Sequence, residues 1–374
     1  MTRHTLERVD VVLCAVPLAR PIRLGATVYH EREYATLRVT ASDGVTGDAL
    51  GYTRGLPLAE QLERLAPSLL GIDADRPVHA LAALRAANAS AGSALGRAHS
   101  LVDIALRDAL ARRAGLPLWR LLGGARARVP LLAVGGYFLD QRPLDDVADE
   151  LRALADQGFR NVKVHATDAD VVARLRAALP ADVGLAIDAH MGFRSLPEAL
   201  ASCRRLDDLG LAFIEDPFPP ERWRLTGELA AAIRTPIAAG EDASGPEALR
   251  DLTEVVSILR VDATTCGGFG AAADAAVVAG ARGRSVMTHA FPDLHGHLAG
   301  GLAAVEQIEM IPYSSGANPV DVLMARRQPV EDGELVLSEQ AGHGMPLDWD
   351  AVAAHARRSL TTDDHHRDEI EDQT

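Results

Sequence analysis

From residue 129 to residue 310, short apolar runs alternate with stretches whose apolar positions recur at helical spacing. The runs at 131–136, 159–166, 183–190, 211–216, 236–242, 256–263, 285–290 and 305–310 read as eight strands. Helical patterns fill the gaps at 144–157, 169–178, 196–209 and 223–233, from Pro246, over 269–281 and from Leu294. Strand and helix in strict alternation predict a parallel sheet with right-handed crossovers. Eight such strands predict an α/β fold built on a modified (β/α)8 TIM-type barrel, (β/α)7β.

The first 125 residues have a different rhythm. Runs at 9–18 and 35–53 predict strands, the second folded at a turn on Ser42, Asp43 and Gly44. Helices are predicted over 58–70, 78–91 and 100–113, the last closed by Gly115 and Pro117. The expected organisation is therefore an α+β capping domain over 1–125 and a barrel over 126–315. A C-terminal segment, 316–374, is expected to pack back on the cap. The charged stretch from about 361, poor in apolar residues, reads as a disordered tail in which His365 and His366 are solvated.

Three carboxylates each end an apolar run: Asp188 in LAIDAH, Glu215 in FIEDPF and Glu241 in IAAGED. Their intervals, 27 and 26 residues, match one strand, one helix and two short loops. In a β/α barrel the C-terminal strand ends converge on one mouth. Three acids gathered there would repel one another unless a cation sat between them, and oxygen ligands suit Mg²⁺. Every strand from the second to the eighth ends in an ionisable residue. The series is Lys163 with His165, Asp188 with His190, Glu215, Glu241, Asp262, His289 and Glu309. Residues two apart in a strand face the same side, which points both members of the first two pairs into the mouth. Asp262 and His289 fall on neighbouring strands, where a carboxylate can orient an imidazole as a general base.

Bulk properties restrict the partners. A formal net charge of -14 over 374 residues argues against nucleic acid and anionic membrane, but not against a small anion met by a bound metal. The apolar stretch at 11–18 is too short to span a bilayer and lacks a cleavage site, so a cytoplasmic protein is expected. Cys14, Cys203 and Cys266 are too few and too scattered for a disulfide framework or a zinc cluster. Cys266 alone falls beside an active-site strand.

These residues resemble the enolase superfamily in its mandelate racemase-like branch, over nearly the whole chain. LVDIALRDALARRAGLPLWRLLGG looks like the join between cap and barrel, and FIEDPF, DATTCGG and VMTHAFPDLHGHL are similar to motifs of the family. The resemblance implies Asp188, Glu215 and Glu241 as Mg²⁺ ligands and His289 with Asp262 as the basic dyad. It implies Glu309, sharing a proton, as the group that hydrogen-bonds the substrate carboxylate, with Lys163 stabilising the same oxygens. Such sites remove a proton next to a carboxylate and stabilise the enediolate with Mg²⁺. Two departures stand out. Lys163-Val164-His165 replaces the Lys-x-Lys of many members, and His190 stands where Asn is common; a histidine there is similar to the proton donor of some sugar-acid dehydratases.

The reaction expected first is dehydration of a sugar acid. Racemisation or epimerisation of a 2-hydroxy acid, with His165 or Lys163 as second base, stays open, as does cycloisomerisation. A metal-dependent hydrolase and a non-catalytic binding protein on the same fold are the readings from other classes. Specificity is expected from two cap loops, 17–31 and 51–57, through Arg20, Arg23, Tyr29 and Arg54. Barrels of this kind often form symmetric oligomers, so a homo-oligomer is expected.

Overall fold

The computed structural model describes residues 3–24 and 27–363, so His365, His366 and most of the expected tail lie outside the described residues. Three N-terminal strands, β1 (Leu6–Leu24), β2 (Thr27–Ala41) and β3 (Thr46–Tyr52), form an antiparallel sheet. The β2–β3 hairpin turns at the predicted place: Gly44 has φ +78° and its N–H donates to the Ala41 carbonyl at 2.8 Å. Helices Leu58–Leu69, Pro77–Ala87 and Gly96–Ala114 follow. The last ends as expected at Gly115, whose left-handed conformation (φ +66°) lets its N–H cap the Ala111 and Arg112 carbonyls.

The eight predicted barrel strands are all present, short and parallel. They are β4 (Arg128–Val134), β5 (Asn161–Val164), β6 (Gly184–Asp188), β7 (Ile214–Glu215), β8 (Ile237–Ala239), β9 (Ile258–Val261), β10 (Ser285–Thr288) and β11 (Val305–Met310). They pair in chain order, and β11 closes the ring on β4. Seven helices join the eight strands, from Leu144–Asp156 to Pro292–Gly301, which is the (β/α)7β arrangement. Leu132, Val134, Ala186, Phe213, Ala238 and Met287 fill the barrel interior as one apolar cluster. None of the described helices is long and apolar enough to cross a membrane.

The loop expected at 17–31 is instead the far end of a long hairpin. Beyond an irregular stretch between Pro17 and Ile22, β1 and β2 pair again through Ile22 with Tyr29, Arg23 with Val28 and Leu24 with Thr27. Pro17 and Pro21 break the ladder and hide the alternation from a sequence pattern. Ile22 joins the cluster inside the barrel, so this hairpin is anchored over the mouth.

The C-terminal segment divides. The hairpin of β12 (Val330–Glu331) and β13 (Glu334–Val336) adds to β4 antiparallel, and β14 (Ala356–Asp363) adds to the outer edge of β1. Leu335 and Leu337 press on helix Pro292–Gly301 so closely that a Cβ at Gly296 or Gly300 would meet them at 2.6 or 2.1 Å. That burial holds the first hairpin to the barrel, while β14 continues through Asp363 on the cap.

Cap and barrel meet through helix Gly96–Ala114, on which β3 lies backbone to backbone. A Cβ at Gly47 would stand 1.9 Å from the Ala105 carbonyl oxygen and 2.7 Å from the Ala109 nitrogen. Gly47→Ala is therefore expected to destabilise the protein by about 3 kcal/mol, because neither backbone can yield. Gly44→Ala, with nothing within 4 Å, should cost only left-handed strain of about 1 kcal/mol. Urea unfolding followed by circular dichroism orders the two; equal losses would contradict the close approach.

Candidate active site

Every one of the seven strands from β5 to β11 delivers an ionisable side chain to the mouth, within or just beyond its last residues. Lys163 lies in β5 and is buried to 1% exposure. Its ammonium donates to Glu309 at 2.5 Å and Glu215 at 2.6 Å, and stands 3.5 Å from Asp188. Burial by itself would depress this amine, but the carboxylates of Glu215, Glu309 and Asp188 outweigh it and hold the pKa well above the ordinary value.

A residue that the sequence reading passed over completes this cluster. Arg260, fully buried in β9, donates from Nε to Glu215 at 2.6 Å, from a terminal nitrogen to Glu309, and from Nη1 to the Thr288 carbonyl at 2.9 Å. It lies two residues before Asp262 and so shares its face. The parity that marked Lys163 and His165 would have found it. With Lys163 and Arg260 beside it, Glu309 is held below the usual carboxylate range in spite of burial. It accepts from both cations, a direction that favours the carboxylate over the proton-sharing acid that the resemblance implies.

The dyad is formed. His289 Nδ1 donates to Asp262 at 2.7 Å, an orientation that turns Nε2 toward the cavity, where an Arg54 terminal nitrogen stands 3.3 Å from it. Burial pulls His289 down, but Glu241, Asp262 and Glu309 raise it above 6.5 on balance. Asp262 is fixed in turn by the Thr264 N–H and hydroxyl, both at 2.7 Å. His295 stands 3.4 Å away, accepts the Ala263 N–H and donates to the Ala290 carbonyl.

The three expected metal ligands are brought to the mouth, but in two groups. Ligand atoms of Glu215, Asp216 and Glu241 lie within 4.8 Å of one another, and those of His165, Asp188 and His190 form a second such set. The Lys163 ammonium is the bridge between them. Burial pushes Glu215 up to about 8 despite Arg260 and Lys163, and pushes Asp216 well above its ordinary value. Glu241 keeps one buried oxygen, Oε2, without a hydrogen-bond partner. Glu241 itself is held below the usual range against burial by His289, Arg54 and Lys163. Two under-compensated buried carboxylates beside a third with an unclaimed oxygen fit a hard divalent cation.

His165 Nε2 stands 3.2 Å from Asp188, and its ring lies between those of Tyr137 and His190, at 5.1 and 5.9 Å. The His190 N–H donates to Asp188 at 2.7 Å. Burial lowers the His190 imidazole against the pull of Asp188. Strands β6 and β10 are four places apart in the eight-strand ring, which puts His190 across the mouth from His289. Six of the eight non-glycine residues with positive φ, among the described residues, lie at this site: Arg54, His190, Met191, Asp216, Ala290 and Phe291. Such strain persists where the surroundings impose it.

Of the four residues expected to bind substrate, two line the cavity. Tyr29 does so, and Arg54 does so while donating to Glu241 at 3.0 Å and Asp242 at 2.8 Å. Arg20 instead lies over Phe138, and Arg23 stands 3.5 Å from Asp140, because their stretch of hairpin runs along the outside of the mouth. Cys266 is buried outside the cavity lining with its thiol pKa raised by burial, a packing residue.

Comparison with known proteins agrees with this geometry. Residues 8–123 match the mandelate racemase / muconate lactonizing enzyme N-terminal domain, and residues 146–351 match the enolase C-terminal domain-like family. The chain is 30% identical to a 3,6-anhydro-alpha-L-galactonate cycloisomerase of Streptomyces coelicolor, over 93% of this chain and 98% of that one. It is 27% identical to the L-talarate/galactarate dehydratase of Salmonella typhimurium, over 92% of this chain and 90% of that one. A variant of that dehydratase, solved with Mg and L-glucarate, has a TM-score of 0.88 at 25% identity, over 97% of this chain and 94% of that one. Relatives thus include dehydratases, cycloisomerases and an epimerase. The chain belongs to the enolase superfamily, in its mandelate racemase branch.

Proposed function

We propose that the protein is a Mg²⁺-dependent hydro-lyase that removes the proton α to the carboxylate of a sugar acid and expels the β-hydroxyl as water. The observation that carries this reading is the placement of His289, paired with Asp262 at 2.7 Å, across the mouth from His190. Glu215 and Glu241 lie on the arc between them.

Asp188, Glu215 and Glu241 would hold the cation, which when bound supplies positive charge against the substrate carboxylate as a second negative charge builds there. His289 Nε2 takes the α-proton, and the Asp262 carboxylate steadies the imidazolium that results. Lys163, fixed between Glu309 and Glu215, keeps a permanent cation beside the same oxygens. The C–H electron pair then closes the α,β double bond as the β C–O bond breaks. His190, from the opposite side, gives its proton to the leaving hydroxyl. The product is water and an enol, which becomes the 2-keto acid.

Epimerisation is the second reading, favoured by the approach of His165 to Asp188 at 3.2 Å. That pair offers an imidazole three strands around the ring from His289, on which a returned proton could ride.

His190→Ala should lower keto-acid formation by about 10²- to 10⁴-fold, while α-proton exchange with D₂O persists. Both are read by proton NMR on a panel of sugar acids with Mg²⁺. Loss of exchange together with elimination would remove His190 from the proposed role, and exchange with inversion but no keto acid would favour the epimerase. The two steps should also separate with pH. Exchange needs neutral His289 and should rise through a pKa above 6.5, whereas elimination needs protonated His190 and should fall above a pKa below 6.5. The ratio of elimination to exchange is therefore expected to drop as pH rises, and a ratio independent of pH would contradict the two-histidine assignment.

A further inference from the structure

The cavity at the mouth measures about 500 Å³, ample for a six-carbon acid. At its barrel end each buried cation is already engaged: Lys163 by Glu215 and Glu309, and Arg54 by Glu241 and Asp242. The roof is different. Arg32, on the β2 arm of the anchored hairpin, lines the cavity and has no carboxylate within 4.0 Å among the described residues. Only its Nε is used, donating to the Ala317 carbonyl at 3.1 Å. Its guanidinium carbon sits 5.5 Å from the Tyr29 ring centre and 5.6 Å from that of Tyr52, which holds the group in place without consuming its terminal N–H groups. Glu31 and Glu33 also border the cavity, but Arg357 engages them at 2.6 and 3.4 Å.

Tyr52 supplies a second, independent sign of a missing ligand. Its side chain is 7% exposed, it lines the same cavity, and its buried hydroxyl has no hydrogen-bond partner. The ring is fixed between Tyr34 and Phe291, at 5.3 and 4.7 Å, so the hydroxyl cannot swing away to find one. A buried phenol left unpaired is costly, and an unclaimed guanidinium fork matches a carboxylate in a bidentate pair.

We infer that the substrate is a dicarboxylic sugar acid, an aldarate, whose far carboxylate is received by Arg32 and Tyr52 while the near one reacts at the barrel end. The inference rests on the proposed reaction for which end reacts, and on the unclaimed roof donors alone for the second carboxylate. An acid with one carboxylate leaves those donors without an anionic partner.

The test is a panel of six-carbon aldarates (galactarate, glucarate, mannarate) and the matching aldonates, with Mg²⁺, read by exchange, keto-acid formation and titration calorimetry. The best aldarate should exceed its aldonate in kcat/KM by about 30-fold or more, the size expected for a charge-assisted pair. Arg32→Gln should collapse that preference to within about threefold, chiefly through KM for the aldarate, and Arg32→Lys should retain part of it. An aldonate used as well as its aldarate, or a preference unchanged in Arg32→Gln, overturns the inference while the proposed reaction stands. If no acid exchanges, the proposed reaction fails, and calorimetry still decides the inference: aldarates binding no tighter than aldonates would overturn it.

Discussion

The structure is organised around a knot of buried opposite charges at the barrel mouth. Convergence of strand ends brings Asp188, Glu215, Glu241 and Glu309 to one region, and a barrel cannot spread them without changing its strand number. Lys163 and Arg260 make that tolerable by reaching Glu215 and Glu309 from opposite sides of the ring, on β5 and β9. Breaking a buried pair by removing one partner typically costs about 3–5 kcal/mol. The same arrangement leaves Glu215 raised to about 8 and Glu241 with an unclaimed oxygen, so the internal cations compensate Glu215 only in part. What would be a defect in a purely structural cluster is what a cation site requires.

The cap depends on that mouth and completes it. Ile22, with Leu18 packed against the same cluster, seats the β1–β2 hairpin in the barrel's interior, and this apolar anchor carries Tyr29 and Arg32 over the cavity. Arg54, at φ +50°, brings the second cap loop onto Glu241 and within 3.3 Å of His289. Chemistry is thus supplied by rigid strand ends, and the choice of ligand by a hairpin and a loop laid across them.

Much of this was legible in the sequence because a barrel imposes a period. Asp188, Glu215 and Glu241 recur at nearly one β/α unit, and alternate-residue parity correctly turned Lys163 and His165 inward. Arg260 obeys the same parity but stands earlier in its strand, where a charge looks like an interruption of the apolar run; only the facing acids show why it is there. Asp216 was hidden by its neighbour Glu215, since a left-handed residue (φ +40°) sends both acids of FIEDPF inward. Over 17–31 the prolines Pro17 and Pro21 break the alternation, so the pattern predicts a loop there and points to Arg20 and Arg23, where the folded hairpin presents Arg32 to the cavity. Which strand of a hairpin faces a cavity is set by tertiary anchoring at Ile22, and no local pattern carries it.

The central claim is that the buried acids form a binding site for one divalent cation. Calorimetric titration of Mg²⁺ into the protein, beside Glu241→Gln, tests it most directly. Saturable binding of one ion per chain is expected, weakened at least about tenfold by that single substitution. Absence of saturable binding at millimolar Mg²⁺, or binding that Glu241→Gln leaves unchanged, would contradict it.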